Sequence, residues 1–133
     1  MIETSLVIGI GSNVTDREFK VTKAIEALCG AFRKANVSAV YESAPFSGQG
    51  EQYVNAVFAG VTNMSMTDVI EFLKQTEAEA GRNSISSLEG QVELDLDLVI
   101  WDGRIVRPKD FERPYFNVGY RQLLADGAFQ YNV

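Results

Sequence analysis

The sequence predicts an α+β fold in which one antiparallel-containing sheet carries two helices on one face. Short, mostly apolar segments, two of which alternate in polarity (Tyr53–Thr62 and Glu93–Leu98), enclose two segments in which apolar residues recur at spacings of three and four. The 133 residues fit a single domain over 1–133, because domains of about 100–150 residues are the commonest. We find no internal repeat or linker that would divide the chain.

Local signals define the individual elements. Thr15 and Glu18 have the spacing of a capping box, which indicates the start of a first helix that should end near Asn36. Gly81 is the expected C′ residue of the second helix, since glycine tolerates a positive φ angle there. Cys29 falls at an apolar position of the first helix, and we expect it to be a small buried residue. The predicted strands are Ser5–Gly11, Val37–Ser43, Tyr53–Thr62 and Glu93–Trp101 with a return at Arg104–Val106; the second helix starts at Ser65 or Thr67, and one or two helical turns lie around Val118–Ala125.

The order of these elements, β-α-β-β-α-β, predicts a ferredoxin-like sandwich with a short C-terminal extension. Both helices pack on one face of the sheet in this arrangement, and the other face is left uncovered as a surface that can bind a ligand or partner. The fold alone does not say what is bound there.

The composition excludes several kinds of site. The chain has no histidine, which excludes a Ser-His-Asp triad, a Cys-His dyad and an H-E-x-x-H zinc site. With 18 acidic and 12 basic residues the net charge is −6, which disfavours nucleic-acid binding but permits a small anionic ligand carried with a divalent cation. We find neither a signal peptide nor an apolar stretch of roughly 20 residues, and therefore expect a cytoplasmic protein with no membrane partner.

The most informative segment is Glu93–Leu98, in which acidic residues alternate with leucines. Side chains alternate between the two faces of a strand, so Glu93, Asp95 and Asp97 should share the face opposite the helices. The Cα atoms of Asp95 and Asp97 would then be about 6.5–7 Å apart. One interpretation is a Mg²⁺ site, because magnesium is usually held by one or two carboxylates together with substrate phosphates. The other is a solvated strand face whose charges discourage edge pairing.

Other polar residues also have more than one interpretation. Asn55 lies in an apolar strand and either pairs with a heterocycle or satisfies backbone groups. Arg82 directly follows the second helix, where an arginine favours the helix dipole. The basic residues of the tail either reach phosphates or solvate the tail; they are Arg104, Arg107, Lys109, Arg113 and Arg121.

Five segments match, in order and spacing, motifs of one enzyme family. They are Gly11–Asn13, Tyr41–Pro45, Gln52–Val57, Glu77–Arg82 and Leu94–Leu98. Through them the chain resembles hydroxymethyldihydropterin pyrophosphokinase, from Leu6 to about Leu124. The combination of motifs carries this resemblance, since no single one is specific.

The resemblance implies a transferase of folate biosynthesis. Family members transfer the β,γ-pyrophosphoryl group of ATP to the hydroxymethyl group of 6-hydroxymethyl-7,8-dihydropterin and leave AMP. Asp95 and Asp97 would hold two Mg²⁺ ions with the ATP, and Arg82 would be the third catalytic residue. The implied ATP-binding residues are Glu77, Arg82 and Arg121, and the implied pterin-binding residues are Ser43, Ala44, Pro45, Phe46, Tyr53 and Asn55.

The chain departs from the family between Arg82 and Asp95, where members carry an arginine-rich loop. Glu89 stands at the position of a stacking tryptophan, and Val92 at that of an arginine. We therefore expect impaired activity. Two alternatives stay open: a catalytically inactive homologue that binds a pterin or nucleotide, and a ferredoxin-like interaction module that forms a homodimer through the free sheet face.

Overall fold

A computed structural model of the protein describes residues 3–45, 51–81 and 92–127. The strands are β1 (Thr4–Ser12), β2 (Arg33–Val37), β3 (Tyr41–Ser43), β4 (Tyr53–Thr62), β5 (Asp95–Trp101) and β6 (Arg104–Ile105). The helices are α1 (Arg17–Ala31), α2 (Met66–Glu79), α3 (Pro108–Phe111) and α4 (Pro114–Ala125). Within these ranges, no helix has both the length and the apolar character needed to cross a membrane.

The strands form one sheet in the order β2-β4-β1-β5-β6, with β3 also paired to β4. Each of these pairs is antiparallel. One helix connects β1 to β2 and another connects β4 to β5, which is the ferredoxin-like arrangement. The predicted α+β fold class is therefore confirmed.

The sheet face that carries α1 and α2 buries the larger hydrophobic core. Leu94, Leu96 and Leu98 point into this core, as their alternation predicted. Phe32 joins the core just after α1, where its ring packs edge-on against Phe72 of α2 at a centroid distance of 5.8 Å. Burial of the leucines fixes which face of β5 looks away from the helices.

Both ends of α2 agree with the sequence signals. The Ser65 hydroxyl accepts a hydrogen bond from the Asp68 N–H at 3.1 Å, so Ser65 rather than Thr67 caps the helix. Gly81 has a φ angle of 102°, which is the left-handed conformation expected of a C′ glycine.

The opposite sheet face is partly covered by α4, although the sequence led us to expect a free face. Phe116 and Leu123 of α4 pack with Val7, Val57 and Val99 in a second apolar cluster. The C-terminal extension thus forms a third layer over part of the sheet. The uncovered part is a cleft between the sheet and α4.

The start of α1 differs from the prediction. The helix begins at Arg17, and its N-cap Asp16 makes no side-chain hydrogen bond to the helix. The capping box predicted from Thr15 and Glu18 is therefore wrong.

The end of α1 also differs, because the helix stops at Ala31 rather than near Asn36. Phe32 adopts an extended conformation, and the chain pairs with β4 from Arg33 onward. No residue of β2 is fully buried and three of its five residues are polar, so this strand has no apolar alternation to reveal it. Buried Ser38 then divides the segment predicted as one strand, since its hydroxyl accepts a hydrogen bond from a backbone N–H of β4 at 2.8 Å.

Three smaller expectations are corrected. Cys29 is exposed, because it lies one position beyond the buried face of α1. β5 begins at Asp95, so Glu93 precedes the strand. The predicted turns around 118–125 belong to the longer helix Pro114–Ala125, which begins with proline at its first position.

Candidate active site

Asp95 and Asp97, called the acid pair below, lie on the face of β5 that looks away from α1 and α2. They line a cleft of about 220 Å³ between the sheet and α4, which we call the inner cleft. Glu93 does not share this face: its carboxylate lies 3.6 Å from the ammonium nitrogen of Lys20 on α1. The predicted row of three acids is therefore a row of two.

Two glycines of β1 make room beside the acid pair. Gly9 and Gly11 lie opposite the pair in the register of β1 with β5. A Cβ atom at Gly11 would lie 3.1 Å from Asn55 Oδ1, and one at Gly9 would lie 3.2 Å from a phenylalanine ring of α4. Glycines two positions apart in a strand thus form the floor of the inner cleft, a role that the sequence did not predict for them.

The acid pair creates an unfavourable environment for its own negative charge. The pKa of Asp97 is raised from an ordinary value of 3.8 to about 8. Burial is the larger cause, and the negative charge of Asp95 is the second. The guanidinium of Arg107 opposes this rise. The pair therefore carries more negative charge than Arg107 offsets, and a further cation beside the pair would compensate it.

Arg107 reaches the acid pair from the loop between β6 and α3. Val99 bulges out of the β1–β5 register, and its carbonyl accepts the backbone N–H of Arg107 at 3.4 Å. The guanidinium Nη2 lies 3.6 Å from Asp97 Oδ1, and Nε donates a hydrogen bond to Asp110 of α3. The phenol of Tyr115 donates to the other carboxylate oxygen of Asp110. Arg107, Asp110 and Tyr115 thus form a connected group over the acid pair.

Asp110 and Tyr115 are site residues that the sequence did not predict. Burial and the Asp110 carboxylate raise the pKa of Tyr115, and the hydrogen bond to Asp110 raises that of Arg107. Both side chains therefore remain hydrogen-bond donors at neutral pH. The spacing of three residues between Arg107 and Asp110 indicates contact within a helical turn, but nothing in the sequence indicates that this turn lies on the acid pair.

Part of the predicted pterin-binding set lines the inner cleft. Asn55 is only 2% exposed, and its amide nitrogen donates a hydrogen bond to Ser43 Oγ at 2.7 Å. This bond joins β3 to β4 and places the Asn55 oxygen at the wall of the cleft. Pro45 does not line the cleft, and Phe46 lies outside the described residues. The predicted residues found along the cleft are Ser43, Ala44, Tyr53 and Asn55.

A second cleft, of about 630 Å³, extends from α2 past the acid pair to Asp110, and we call it the edge cleft. Among the described residues, β6 pairs only with Ile100 and Trp101, so the first half of β5 is an edge of the sheet. Glu77 of α2 accepts a hydrogen bond from the Leu96 N–H on this edge at 2.7 Å. The predicted residue Glu77 therefore connects α2 to the strand that carries the acid pair.

Arg121 is exposed on α4 and lines neither cleft. Arg82 lies outside the described residues.

The acid pair fits a divalent cation that a ligand helps to hold. In the described part of the chain, no group of three or more carboxylate or thiol side chains would hold a metal ion alone. Magnesium is commonly held by one or two carboxylates and completes its shell with water and phosphate oxygens. The donor types and the shortage of positive charge both agree with such a site.

Comparison with known proteins gives the family. The sequence model of the 7,8-dihydro-6-hydroxymethylpterin-pyrophosphokinase family matches residues 7–124. The chain is 31% identical to the 2-amino-4-hydroxy-6-hydroxymethyldihydropteridine pyrophosphokinase of Aquifex aeolicus over 113 residues, covering 84% of this chain and 69% of that protein. It is 25% identical to the protein of the same name from Haemophilus influenzae over 126 residues, covering 92% of this chain and 78% of the relative. It is also 25% identical over 109 residues to the folic acid synthesis protein FOL1 of Dictyostelium discoideum, covering 81% of this chain and 16% of that protein.

The ferredoxin-like fold and the family match agree. The family model covers most of the chain, and the chain belongs to the 7,8-dihydro-6-hydroxymethylpterin-pyrophosphokinase family. Membership supports a transferase of the folate pathway and confirms the resemblance inferred from the sequence motifs.

Proposed function

We propose that the protein transfers the pyrophosphoryl group of MgATP to 6-hydroxymethyl-7,8-dihydropterin. The observation that carries this proposal is the position of the acid pair, which lines both the inner cleft and the edge cleft. A transfer between two substrates requires both reacting groups at one point. The acid pair is the point at which the two clefts meet.

The inner cleft has the properties of a pterin site. Tyr53 and Tyr115 provide aromatic surface, which packs favourably against a flat ring system. The buried oxygen of Asn55 provides an acceptor for a ring N–H or amino group. Ser43 and Ala44 complete the described wall, and Pro45 and Phe46 stay predicted members of the site.

The edge cleft has the properties of a nucleotide site. Met66 and Ile70 of α2 provide apolar surface for a base at one end, and the acid pair and Arg107 lie at the other, where phosphates would be placed. Glu77 holds the strand edge between these ends. Arg82 and Arg121 stay predicted phosphate ligands.

The proposed reaction forms a bond from the hydroxymethyl oxygen of the pterin to the β-phosphorus of ATP. The bond from that phosphorus to the oxygen that bridges to the α-phosphorus breaks, so AMP leaves, and the hydroxyl proton is released. We propose two bound Mg²⁺ ions, which would neutralise the negative charge of the phosphates. Asp95 and Asp97 would hold the metal, and the phosphates bound to it would then lie where the clefts meet. Catalysis of this kind rests on positioning and electrostatic stabilisation.

We expect a lower rate than in members that carry the arginine-rich loop. Residues 83–92 contain neither lysine nor arginine. Removing one preorganised donor to a transition state typically costs about 10²–10³ in rate. The same observation favours a second candidate function, the binding of nucleotide and pterin without turnover.

The test is a product assay with the full chain. The protein is incubated with Mg²⁺, ATP and 6-hydroxymethyl-7,8-dihydropterin, and AMP and the pyrophosphorylated pterin are measured by mass spectrometry. We expect both products in equal amounts from the wild type and none from Asp95→Asn/Asp97→Asn. Asp102→Asn is the matched control, since Asp102 lines neither cleft and asparagine also tolerates its φ angle of 53°.

The outcomes separate the candidates. Equal activity in the wild type and the double variant would contradict the role of the acid pair. No product at high protein concentration, with MgATP still bound, would support the second candidate. Absence of both product and nucleotide binding would contradict both functions.

A further inference from the structure

Arg107 is a charged side chain at the acid pair to which the proposed reaction assigns no role. Its side chain is 51% exposed, whereas those of Asp97 and Asp110 are 18% and 16% exposed. It lines the edge cleft together with both aspartates. A cation thus lies at the proposed place of the phosphates, with half of its surface open to a ligand.

The two ends of the guanidinium are held differently. Nε donates a hydrogen bond to Asp110, which Tyr115 holds from the other side. Nη2 lies 3.6 Å from Asp97 Oδ1, which is an ion-pair distance but longer than an N–H···O hydrogen bond. Asp110 therefore fixes the position of the side chain, while the contact with Asp97 is electrostatic and easily exchanged.

We propose that Arg107 binds the nucleotide phosphates by exchanging partners: its guanidinium pairs with Asp97 in the ligand-free protein and with a phosphate oxygen when the metal-bound nucleotide occupies the edge cleft. Asp110 keeps hold of Nε in both states. This inference rests on the proposed function, because it assumes that the acid pair receives a divalent cation together with phosphates.

Charge explains the exchange. A divalent cation and a guanidinium repel each other and compete for the same Asp97 carboxylate. Arriving phosphates offer Arg107 new acceptors, and a guanidinium binds phosphate through two parallel N–H groups. Arg107 thus supplies a positive charge that the stretch 83–92 does not contain.

The exchange predicts opposite effects of one substitution on two ligands. In Arg107→Gln, binding of Mg²⁺ with a non-hydrolysable ATP analogue should weaken about 10- to 100-fold, the value of a charge-assisted hydrogen bond. Binding of Mn²⁺ alone should become about threefold tighter, because the half-exposed guanidinium beside Asp97 no longer repels the cation. Calorimetry measures the first affinity, and the electron paramagnetic resonance signal of free Mn²⁺ measures the second.

Two variants serve as comparisons. Arg107→Lys keeps the charge but loses the planar fork, so it should recover part of the nucleotide affinity. Arg104→Gln removes an exposed arginine of β6 that lines neither cleft, so it should leave both affinities unchanged.

The role of Asp110 is tested by a double-mutant cycle. Asp110→Asn should weaken nucleotide binding in the wild type but should have little further effect in Arg107→Gln, because Asp110 acts through Arg107. Additive effects of the two substitutions would contradict this part of the proposal.

The outcomes distinguish this inference from the proposed function. Wild-type nucleotide binding that Arg107→Gln leaves unchanged would overturn the inference alone. Equal weakening of both ligands with a lowered unfolding temperature would mean a purely structural role and would also overturn it. A wild-type protein that does not bind MgATP would overturn the proposed function, and the inference with it.

Discussion

Asp97 lies where a charged carboxylate is unfavourable. Its side chain is largely buried, and Asp95 adds a like charge on the same strand face. In the metal-free folded protein its pKa is about 8, whereas its ordinary value is 3.8. The protonated group therefore contributes stability that is fully present below pH 3.8 and is lost as the pH rises through about 8.

We predict that Asp97→Asn stabilises the metal-free protein at about pH 8 but not at about pH 4. The amide carries no charge, so the variant avoids the cost of ionising a buried carboxyl group. As the pH rises from about 4 to about 8, the free energy of unfolding of the wild type should fall, relative to that of the variant, by up to about 1.4 kcal/mol per pH unit. Urea unfolding at several pH values in the presence of a chelator measures this difference.

The exposed turn residue Asp102 provides the control. Asp102→Asn should keep the pH dependence of the wild type. A variant Asp97→Asn with the pH dependence of the wild type would contradict the electrostatic description of the acid pair.

At the scale of elements, the attachment of α4 to the sheet determines the shape of the inner cleft. Gly119 of α4 lies against β4, and a Cβ atom there would be 2.6 Å from Val57 Cγ2 and 2.9 Å from the ring of Tyr41. The Tyr41 hydroxyl donates a hydrogen bond to the carbonyl of Tyr115 at 2.6 Å. The absence of a side chain at Gly119 thus allows the helix that carries Tyr115 to lie close to the sheet.

We predict that Gly119→Ala destabilises the protein by about 1–3 kcal/mol, because the methyl group has no room and α4 must move. Gly30→Ala is the matched control, since Gly30 is an exposed position of α1 where an added Cβ atom would have no neighbour within 4 Å. The control should be stabilised by roughly 0.5–1 kcal/mol through helix propensity. Urea unfolding of both variants measures the effects, and a Gly119→Ala variant as stable as the wild type would show that α4 is not closely packed.

The elements also differ in how well the sequence predicts them. β4 and α2 were placed closely, because each carries a complete apolar pattern and α2 has polar and glycine residues at its ends. β2 was displaced, because an edge strand with exposed polar side chains has no such pattern. The predicted capping box does not form, because threonine and glutamate at this spacing allow the capping hydrogen bonds but do not require them.

At the scale of the whole molecule, the sequence predicts the acid pair but not its surroundings. Alternation along β5 is local, so it correctly places Asp95 and Asp97 on one face. Glu93 was misplaced, because it lies before the strand and Lys20 of α1 attracts it. The contact between Arg107 and Asp97 depends on the bulge at Val99 and on the packing of α3, which are products of the tertiary fold.

The central claim is that the acid pair holds the metal-bound nucleotide. Thermal unfolding with a non-hydrolysable ATP analogue, with and without Mg²⁺, tests this claim independently of the reaction rate. At about 100 times its Kd the ligand should add about 2.7 kcal/mol of stability to the wild type. We predict a rise in Tm that requires Mg²⁺ and is absent in Asp95→Asn/Asp97→Asn. An equal, Mg²⁺-dependent rise in that double variant would contradict the claim.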